Sequence, residues 1–287
     1  MKKYGLFLLI FLFNLYSCIK YIDIDPPPYE SEIFVAAILT EGRQPALYIS
    51  RTVPLNETEL PEALPDALVL LKPGTGPADT LVYDDNDKLF KTTHLPSRNI
   101  SYSLEVRHNG EKATAQTSFP PSANMEIIEW EETEVPEEEI TTDALKIRFR
   151  IHDPAGKNFY QIEVYSGNSS RWVRNRLIFT DLNDPAVINE GVNTFSDIFF
   201  SDEIFDGQTY DMALYFDRVM QLQPGDSLMV ITYALSEYAY RWMKYVHIQN
   251  YYGGLFENME PAFIPDNVDG GLGVFGTRTV DTLYYAF

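Results

Sequence analysis

From residue 32 to residue 119 the chain is a succession of short strand-like runs. These runs carry the apolar, β-branched and aromatic residues that are typical of strands. Turn-forming residues such as Pro73-Gly74 and Asn109-Gly110 separate the runs. The runs are EIFVAAILT, ALYISRT, ALVLLK, TLVYD, KLFKT, SYSLEVRH and KATAQTSF. Strands at this spacing predict a β-sandwich of immunoglobulin or fibronectin type III character, with Tyr102 in the position of a tyrosine corner.

The chain from residue 121 to residue 287 predicts a second domain that is also rich in β structure. Pro120-Pro121-Ser122 ends the first set of runs. Strand chemistry then returns in ALKIRFRIHD, FYQIEVYS, RWVRNRLIFT, YDMALYFDRV and DSLMVITYAL. The predicted fold class is therefore mainly β, with an immunoglobulin-like or fibronectin-like sandwich over residues 32–120 and a β-rich domain with one amphipathic helix over residues 121–287.

That helix is predicted near residues 236–252. Ser236 can cap the segment EYAYRWMKYVHIQNYY, whose apolar residues recur with helical spacing until Gly253-Gly254 ends it. A wide apolar stripe of this kind favours packing onto a sheet. The alternative is that the aromatic side chains form a face for a ligand or a partner. That face would contain Trp242, Tyr245, Tyr251 and Tyr252.

The N-terminus predicts export followed by lipidation. Residues 1–17 begin with two lysines, continue with a short apolar run and have the proportions of a secretory signal peptide. Cys18 is the single cysteine and directly follows a small residue, which resembles the lipobox of bacterial lipoproteins. The alternative is an ordinary signal peptide with an incidental cysteine. Residues 18–31 contain three consecutive prolines and are predicted as an extended tether between the lipid and the folded body.

The charge balance argues against nucleic acid as a partner. The chain has 42 acidic and 22 basic residues, and loss of two lysines with residues 1–17 changes the formal net charge from −20 to −22. Binding to nucleic acid or to anionic lipid needs a surface rich in lysine and arginine. The glutamate-rich stretch MEIIEWEETEVPEEEITTD lacks the ligand spacing of an EF-hand, so it is predicted as a solvated strand face and loop. Asp84-Asp85-Asn86-Asp87 is predicted as a turn, with a calcium site as the alternative.

The stretch DNVDGGLGVFGTRTV contains a G-x-G-x-x-G spacing at Gly271, Gly273 and Gly276. A dinucleotide loop must follow a strand and open a helix, whereas a strand-like segment follows this one. We therefore predict a structural loop in which glycines allow positive φ and close backbone approach. Its motif residues are Asn267, Gly270, Gly271, Gly273 and Phe275.

The sequence contains no recognisable catalytic motif. His94, His108, His152 and His247 lie far apart and form no zinc-binding pair, and G-x-S-x-G is absent. We accordingly predict no catalytic residues, no cofactor and no metal ion, and expect the protein not to be an enzyme.

Several stretches together resemble one family. They are Asp153-Pro154-Ala155-Gly156 with the following Asn158-Phe159-Tyr160, then FSDIFFSDEIFDGQTY, Pro224-Gly225-Asp226-Ser227-Leu228, the residues Tyr238 and Tyr240 to Trp242 of the predicted helix, and EPAFIPDNVDGGLGVFG. In their order and amino-acid sequence, these stretches are similar to a domain-of-unknown-function family of Bacteroidota outer-membrane lipoproteins, commonly encoded beside TonB-dependent receptors. The early EIFVAAILTEG and ALYISRTVPL extend the resemblance over nearly the whole mature chain.

The resemblance implies a location and a partner but no residue roles. It implies a lipid-anchored protein of the outer membrane in the cell envelope, acting as a non-enzymatic accessory of TonB-dependent nutrient transport. Such an accessory would bind a substrate or dock on the receptor. Two alternatives remain open at this point: a surface hydrolase with unidentified carboxylates, and a structural or adhesive envelope protein.

Overall fold

The computed structural model describes residues 29–54, 61–137, 140–178, 180–188, 198–218, 222–252 and 265–286. Cys18 and most of the predicted tether lie outside these residues. The described part of the chain is mainly β and resembles a sandwich, which confirms the predicted fold class. No helix in this part is long and apolar enough to span a bilayer.

The strands and helices follow the predicted order closely. The strands are β1 (Ile33–Thr40), β2 (Ala46–Arg51), β3 (Leu68–Pro73), β4 (Asp79–Asp84), β5 (Leu89–Lys91), β6 (Ser101–His108), β7 (Glu111–Ser118), β8 (Met125–Glu137), β9 (Ile140–His152), β10 (Phe159–Asn168), β11 (Arg171–Asn175), β12 (Ile198–Ser201), β13 (Thr209–Asp217), β14 (Ser227–Leu235), β15 (Val268–Asp269) and β16 (Leu272–Ala286). The helices are α1 (Pro185–Ile188) and α2 (Glu237–Tyr252).

Among the described residues, most strands join one large sheet. Its order is β11-β10-β14-β16-β1-β2-β5-β4-β3-β6-β7-β15, and β12 pairs with β10 as a branch. The part that contains β1 to β7 encloses a first core in which alternate residues of each strand are buried. Examples are Val35 and Leu39 of β1, Val69 of β3 and Leu104 of β6.

A smaller sheet of β13, β9 and β8 encloses the second core. Alternate residues of β9, from Leu145 to Ile151, meet Tyr160 and Ile162 of β10 in this core. The outer face of the sheet carries cross-strand ion pairs, including Lys146 with Glu131 and Arg148 with Glu129. The glutamate-rich stretch is thus a solvated strand face, as predicted.

The last strand connects the two groups of strands. Residues 272–278 of β16 pair in parallel with β1, and residues 278–286 pair antiparallel with β14. The first group therefore receives β15 and half of β16 from the end of the chain. The domain boundary near residue 120 stays a prediction.

Several local predictions are visible in the backbone. Asn109 and Gly110 both have positive φ at the β6–β7 hairpin. The Tyr102 hydroxyl accepts a hydrogen bond from the Ser97 backbone N–H at 3.0 Å, as in a tyrosine corner. Helix α2 begins after Ser236, whose hydroxyl accepts from the Ala239 N–H at 3.4 Å and from the Thr277 N–H at 3.0 Å.

Candidate functional site

The glycine loop, residues 266–276, is locked onto the start of β16. The Asn267 side chain donates to the Phe275 carbonyl at 2.9 Å and accepts from the Phe275 N–H at 2.8 Å. A carboxylate oxygen of Asp266 accepts from the N–H groups of Val268 and Gly273 at 2.9 and 3.2 Å. Phe275 is fully buried in the first core. These bonds use the polar side chains of the loop to hold its own backbone.

Two glycines of the loop are required for close packing. Gly273 has φ of +121°, and a Cβ atom there would lie 2.0 Å from the Val35 carbonyl oxygen of β1. A Cβ atom on Gly276 would lie 2.7 Å from Cβ of Ala239, so helix α2 rests directly on this glycine. The loop opens a strand, as β16 begins at Leu272. This geometry shows why alanine would not fit at Gly273 or Gly276, and the structural role of the loop motif stays a prediction.

A groove lies beside the glycine loop on the outer face of β3, β6 and β7. Its volume is about 500 Å³, and the glycine loop and β15 form one of its sides. The lining residues are Leu70, Lys72, Ala78, Ser103, Leu104, Glu105, Thr114, Ala115, Gln116, Asn267 and Asp269. Hydroxyl, amide and charged groups thus line a partly apolar floor, which is the composition of a site for a polar ligand.

One charge in the groove is already neutralised by its neighbours. Glu105 forms ion pairs with Lys112 at 2.8 Å and with Arg107 at 2.5 Å. The hydrogen bond from Lys112, with a smaller contribution from Arg107, holds the pKa of Glu105 below its ordinary value. Glu105 therefore remains a carboxylate at neutral pH and orders the side of the groove.

The aromatic residues of α2 pack onto the large sheet. The Tyr240 ring stacks on Phe159 with centroids 4.4 Å apart, and Trp242 lies 6.0 Å from Phe34 of β1. Tyr245 lies 6.1 Å from Trp242, and both of these side chains remain partly exposed. The side chains of Tyr251 and Tyr252 lie outside the described residues. The ligand or partner face predicted for Trp242, Tyr245, Tyr251 and Tyr252 stays a prediction.

Sequence reasoning missed a cluster of three aspartates at Asp153, Asp202 and Asp206. One carboxylate oxygen of each lies within 4.8 Å of the others. Asp153 follows β9, whereas Asp202 and Asp206 lie between β12 and β13. The antiparallel pairing of β13 with β9, in which Thr209 lies opposite His152, brings these segments together. Both segments are among the stretches that carry the family resemblance, and that was the one available signal.

The cluster is embedded in hydrogen bonds to the protein. Asp153 accepts from the Tyr160 hydroxyl and from the Gly207 N–H, and Asp202 accepts from the Asn158 N–H at 2.8 Å. Asp206 accepts from the Gly156 N–H at 2.8 Å. These bonds tie the loop after β9 to the turn before β13.

Burial sets the electrostatics of the cluster. Asp202 is only 2% exposed, and this burial raises its pKa above the ordinary value of 3.8. The hydrogen bonds from Asn158 act in the opposite direction, while the nearby charges of Asp153 and Asp206 add to the increase. Carboxylate oxygens at this spacing are also the ligands that Ca²⁺ and Mg²⁺ use, so these are the residues that could hold such an ion.

Comparison with solved structures gives weak likeness. A DUF4785 family protein from Legionella pneumophila shares 10% identity with a TM-score of 0.23; the match covers 69% of this chain and 51% of that one, so this chain spans about half its length. A structure described as manganese lipoxygenase of Gaeumannomyces graminis with part of zonadhesin of Komagataella pastoris shares 9% identity, covers 71% and 88%, and has a TM-score of 0.19. The collagen adhesin of S. aureus shares 7% identity, covers 89% and 95%, and has a TM-score of 0.18.

No curated protein matches the chain. In contrast, residues 19–283 match the family described as "Domain of unknown function (DUF4249)". This match includes the β-rich body, the aspartate cluster, helix α2 and the glycine loop. The chain therefore belongs to the DUF4249 family of domains of unknown function.

Proposed function

We propose that this protein is a lipid-anchored, non-enzymatic accessory of a TonB-dependent nutrient transporter in the outer membrane. In this proposal the acyl chains on Cys18 hold the protein at the membrane and residues 18–31 act as the tether. The β-rich body either binds the substrate or docks on the receptor. The family resemblance described above is the reason for naming a TonB-dependent receptor as the partner.

The observation that supports binding is the groove beside the glycine loop. Most of its lining residues lie on strands, and rigid elements of this kind position polar groups better than loops do. Lys72, Ser103, Thr114 and Gln116 offer hydrogen-bonding groups around an apolar floor. This combination suits a peptide or a glycan, which presents both polar and apolar surface.

Affinity purification from gently solubilised outer membranes, followed by mass spectrometry, tests the partnership. We expect a β-barrel receptor to copurify with the protein. We also expect that deletion of the gene abolishes growth on one nutrient and that replacement of Cys18 by serine releases the protein from the membrane fraction. Failure to recover any outer-membrane receptor would contradict the proposal.

A bulky substitution in the groove separates substrate binding from docking. Thr114 lines the groove on β7, and Thr114→Trp would fill part of it. Thr141→Trp is the matched control, since Thr141 is exposed on the strand β9 outside the groove. Loss of nutrient uptake with normal copurification would indicate that the groove binds substrate. Loss of copurification would indicate that it docks the receptor. Wild-type behaviour of Thr114→Trp in both assays would exclude the groove.

The aspartate cluster gives the hydrolase alternative a specific location. Asp206 is the exposed member and is the carboxylate that such an enzyme would present to a substrate, with Asp153 and Asp202 buried beside it. Asp206→Asn changes the accessible carboxylate without altering a buried one. Hydrolysis of a peptide or glycan by the wild type, abolished in this variant, would favour the hydrolase.

A further inference from the structure

Arg278 occupies an unusual position on β16. It lies in register with Thr40 of β1 and with Leu235 of β14, and its side chain is partly buried. Its Nε donates a hydrogen bond to the Thr40 hydroxyl at 2.8 Å. The centre of its guanidinium lies 4.7 Å from the centroid of the Tyr233 ring, and Tyr233 is only 3% exposed. The guanidinium is therefore held in one place by two neighbours.

Among the described residues, no carboxylate lies within 4.0 Å of the Arg278 side chain, and the nearby Glu163 acts on its charge only from a greater distance. Most arginines of this part of the chain lie within 4.0 Å of a carboxylate, and these are Arg51, Arg98, Arg107, Arg148, Arg150, Arg174, Arg176, Arg218 and Arg241. The exceptions are Arg43, Arg171 and Arg278. Arg43 and Arg171 are exposed, whereas the side chain of Arg278 is only partly exposed.

Partial removal from water makes the absence of a close carboxylate costly. Burial holds the pKa of Arg278 below its ordinary value, and the nearby positive charge of Arg43 acts in the same direction, while Tyr233 and Glu163 oppose them. The group remains charged at neutral pH, because an arginine pKa is far above 7. A partly buried charge needs some compensation, and contact with an aromatic ring supplies only part of it.

The geometry leaves one side of the guanidinium available. A guanidinium has five N–H donors, and the structure shows one of them, on Nε, bound to Thr40. The four donors on the two Nη atoms form the fork that binds two oxygens of one oxyanion. Carboxylates are abundant in this chain, with 42 acidic residues against 22 basic ones. A purely structural arginine could easily have been paired with one of them.

We propose that Arg278 is the anchor of a binding site for the oxyanion of a small ligand, either a carboxylate or a phosphate. The Tyr233 ring lies against the guanidinium, and the hydrogen bond to Thr40 fixes its orientation. Arg43 adds positive charge near the site. The oxyanion replaces the missing acidic partner of Arg278. This site is separate from the groove beside the glycine loop, so the inference does not rest on the proposed function.

The test measures binding of two simple anions to the purified protein. Inorganic phosphate and acetate are titrated separately at constant ionic strength, with sodium chloride as the balancing salt, and binding is followed by calorimetry and by the Arg278 Nε–H resonance. We expect at least one anion to bind the wild type, and the better of the two identifies the source of the oxyanion. Arg278→Gln should weaken that binding by about tenfold or more, the scale of a lost charge-assisted hydrogen bond.

Two further variants make each outcome decisive. Arg171→Gln removes an exposed, unpaired arginine on β11 and should leave the affinity unchanged. Arg278→Lys keeps the charge but lacks the fork, so it should bind more weakly even if Arg278→Gln fails to fold. The proposal is overturned if the wild type binds neither anion, if Arg278→Lys binds as tightly as the wild type, or if Arg171→Gln loses as much affinity as the Arg278 variants.

Discussion

Replacement of Gly273 by alanine should be among the most destabilising single-methyl changes in this protein. Two separate costs combine at this position. The residue has φ of +121°, a conformation that L side chains rarely adopt, and this costs about 1–3 kcal/mol. The added Cβ would also lie 2.0 Å from the Val35 carbonyl oxygen. Relief of that clash must shift backbone in β1 or β16, at a further cost of about 1–3 kcal/mol.

The sum, about 2–6 kcal/mol, is a large fraction of the 5–15 kcal/mol that holds a typical domain folded. Substitutions at two other glycines measure the conformational cost and the steric cost separately. Gly225 has φ of +100° and open space around its Cβ position, so Gly225→Ala carries the conformational cost alone. Gly276→Ala carries only a steric cost, because φ is ordinary there and the added Cβ meets Ala239 of α2 at 2.7 Å.

Urea unfolding followed by circular dichroism measures all three variants against the wild type. We expect Gly273→Ala to lower the free energy of unfolding most, Gly225→Ala to lower it least, and Gly276→Ala to lie between them. If Gly273→Ala is no more destabilising than Gly225→Ala, the close approach of β1 and β16 does not contribute, and our account of the glycine loop is wrong. A Gly273→Ala variant that folds normally but loses transport would give the loop a functional role instead.

Three further predictions concern polar side chains. Asp202→Asn should raise the melting temperature at pH 7. The pKa of Asp202 is higher in the folded protein than in the unfolded chain, so ionisation of this carboxyl group destabilises the folded protein as pH rises above 3.8. A pH series of melting curves should therefore show a weaker decline in the variant. Arg98→Met should cost about 1–2 kcal/mol in urea unfolding, because it removes the partner shared by Glu41 and Asp281, and a wild-type midpoint would count against this pairing. Tyr102→Phe should cost about 1–2 kcal/mol by leaving a backbone N–H unpaired, which hydrogen exchange at that amide can detect.

The belt of ion pairs on the small sheet explains how an acidic protein keeps a long edge strand exposed. Strand β8 pairs only with β9 among the described strands, and its free edge could pair with another chain. Glutamates occupy its solvent face, a bulge interrupts its register between Ile127 and Glu129, and Pro136 lies near its end. These features discourage pairing of edges between molecules.

Sequence alone determined the elements whose signals are local. Alternation from Leu145 to Ile151 marked β9, Asn109-Gly110 marked the β6–β7 hairpin, and Ser236 marked the start of α2. In each case the pattern records a preference of neighbouring residues, either for one face of a strand or for a particular φ. The strand-like segment after the glycine loop also left no place for a phosphate-binding helix, and a strand does begin at Leu272.

The tertiary structure alone decided what depends on contacts between distant segments. The sequence did not indicate that β16 would pair with both β1 and β14, since period-2 alternation identifies a strand but not its neighbours. The same reason explains why the groove, the aspartate cluster around Asp202 and the unpaired charge of Arg278 were missed. A carboxylate or a guanidinium has an ordinary appearance in sequence, and only the packing around it determines whether it is solvated, paired or left for a ligand.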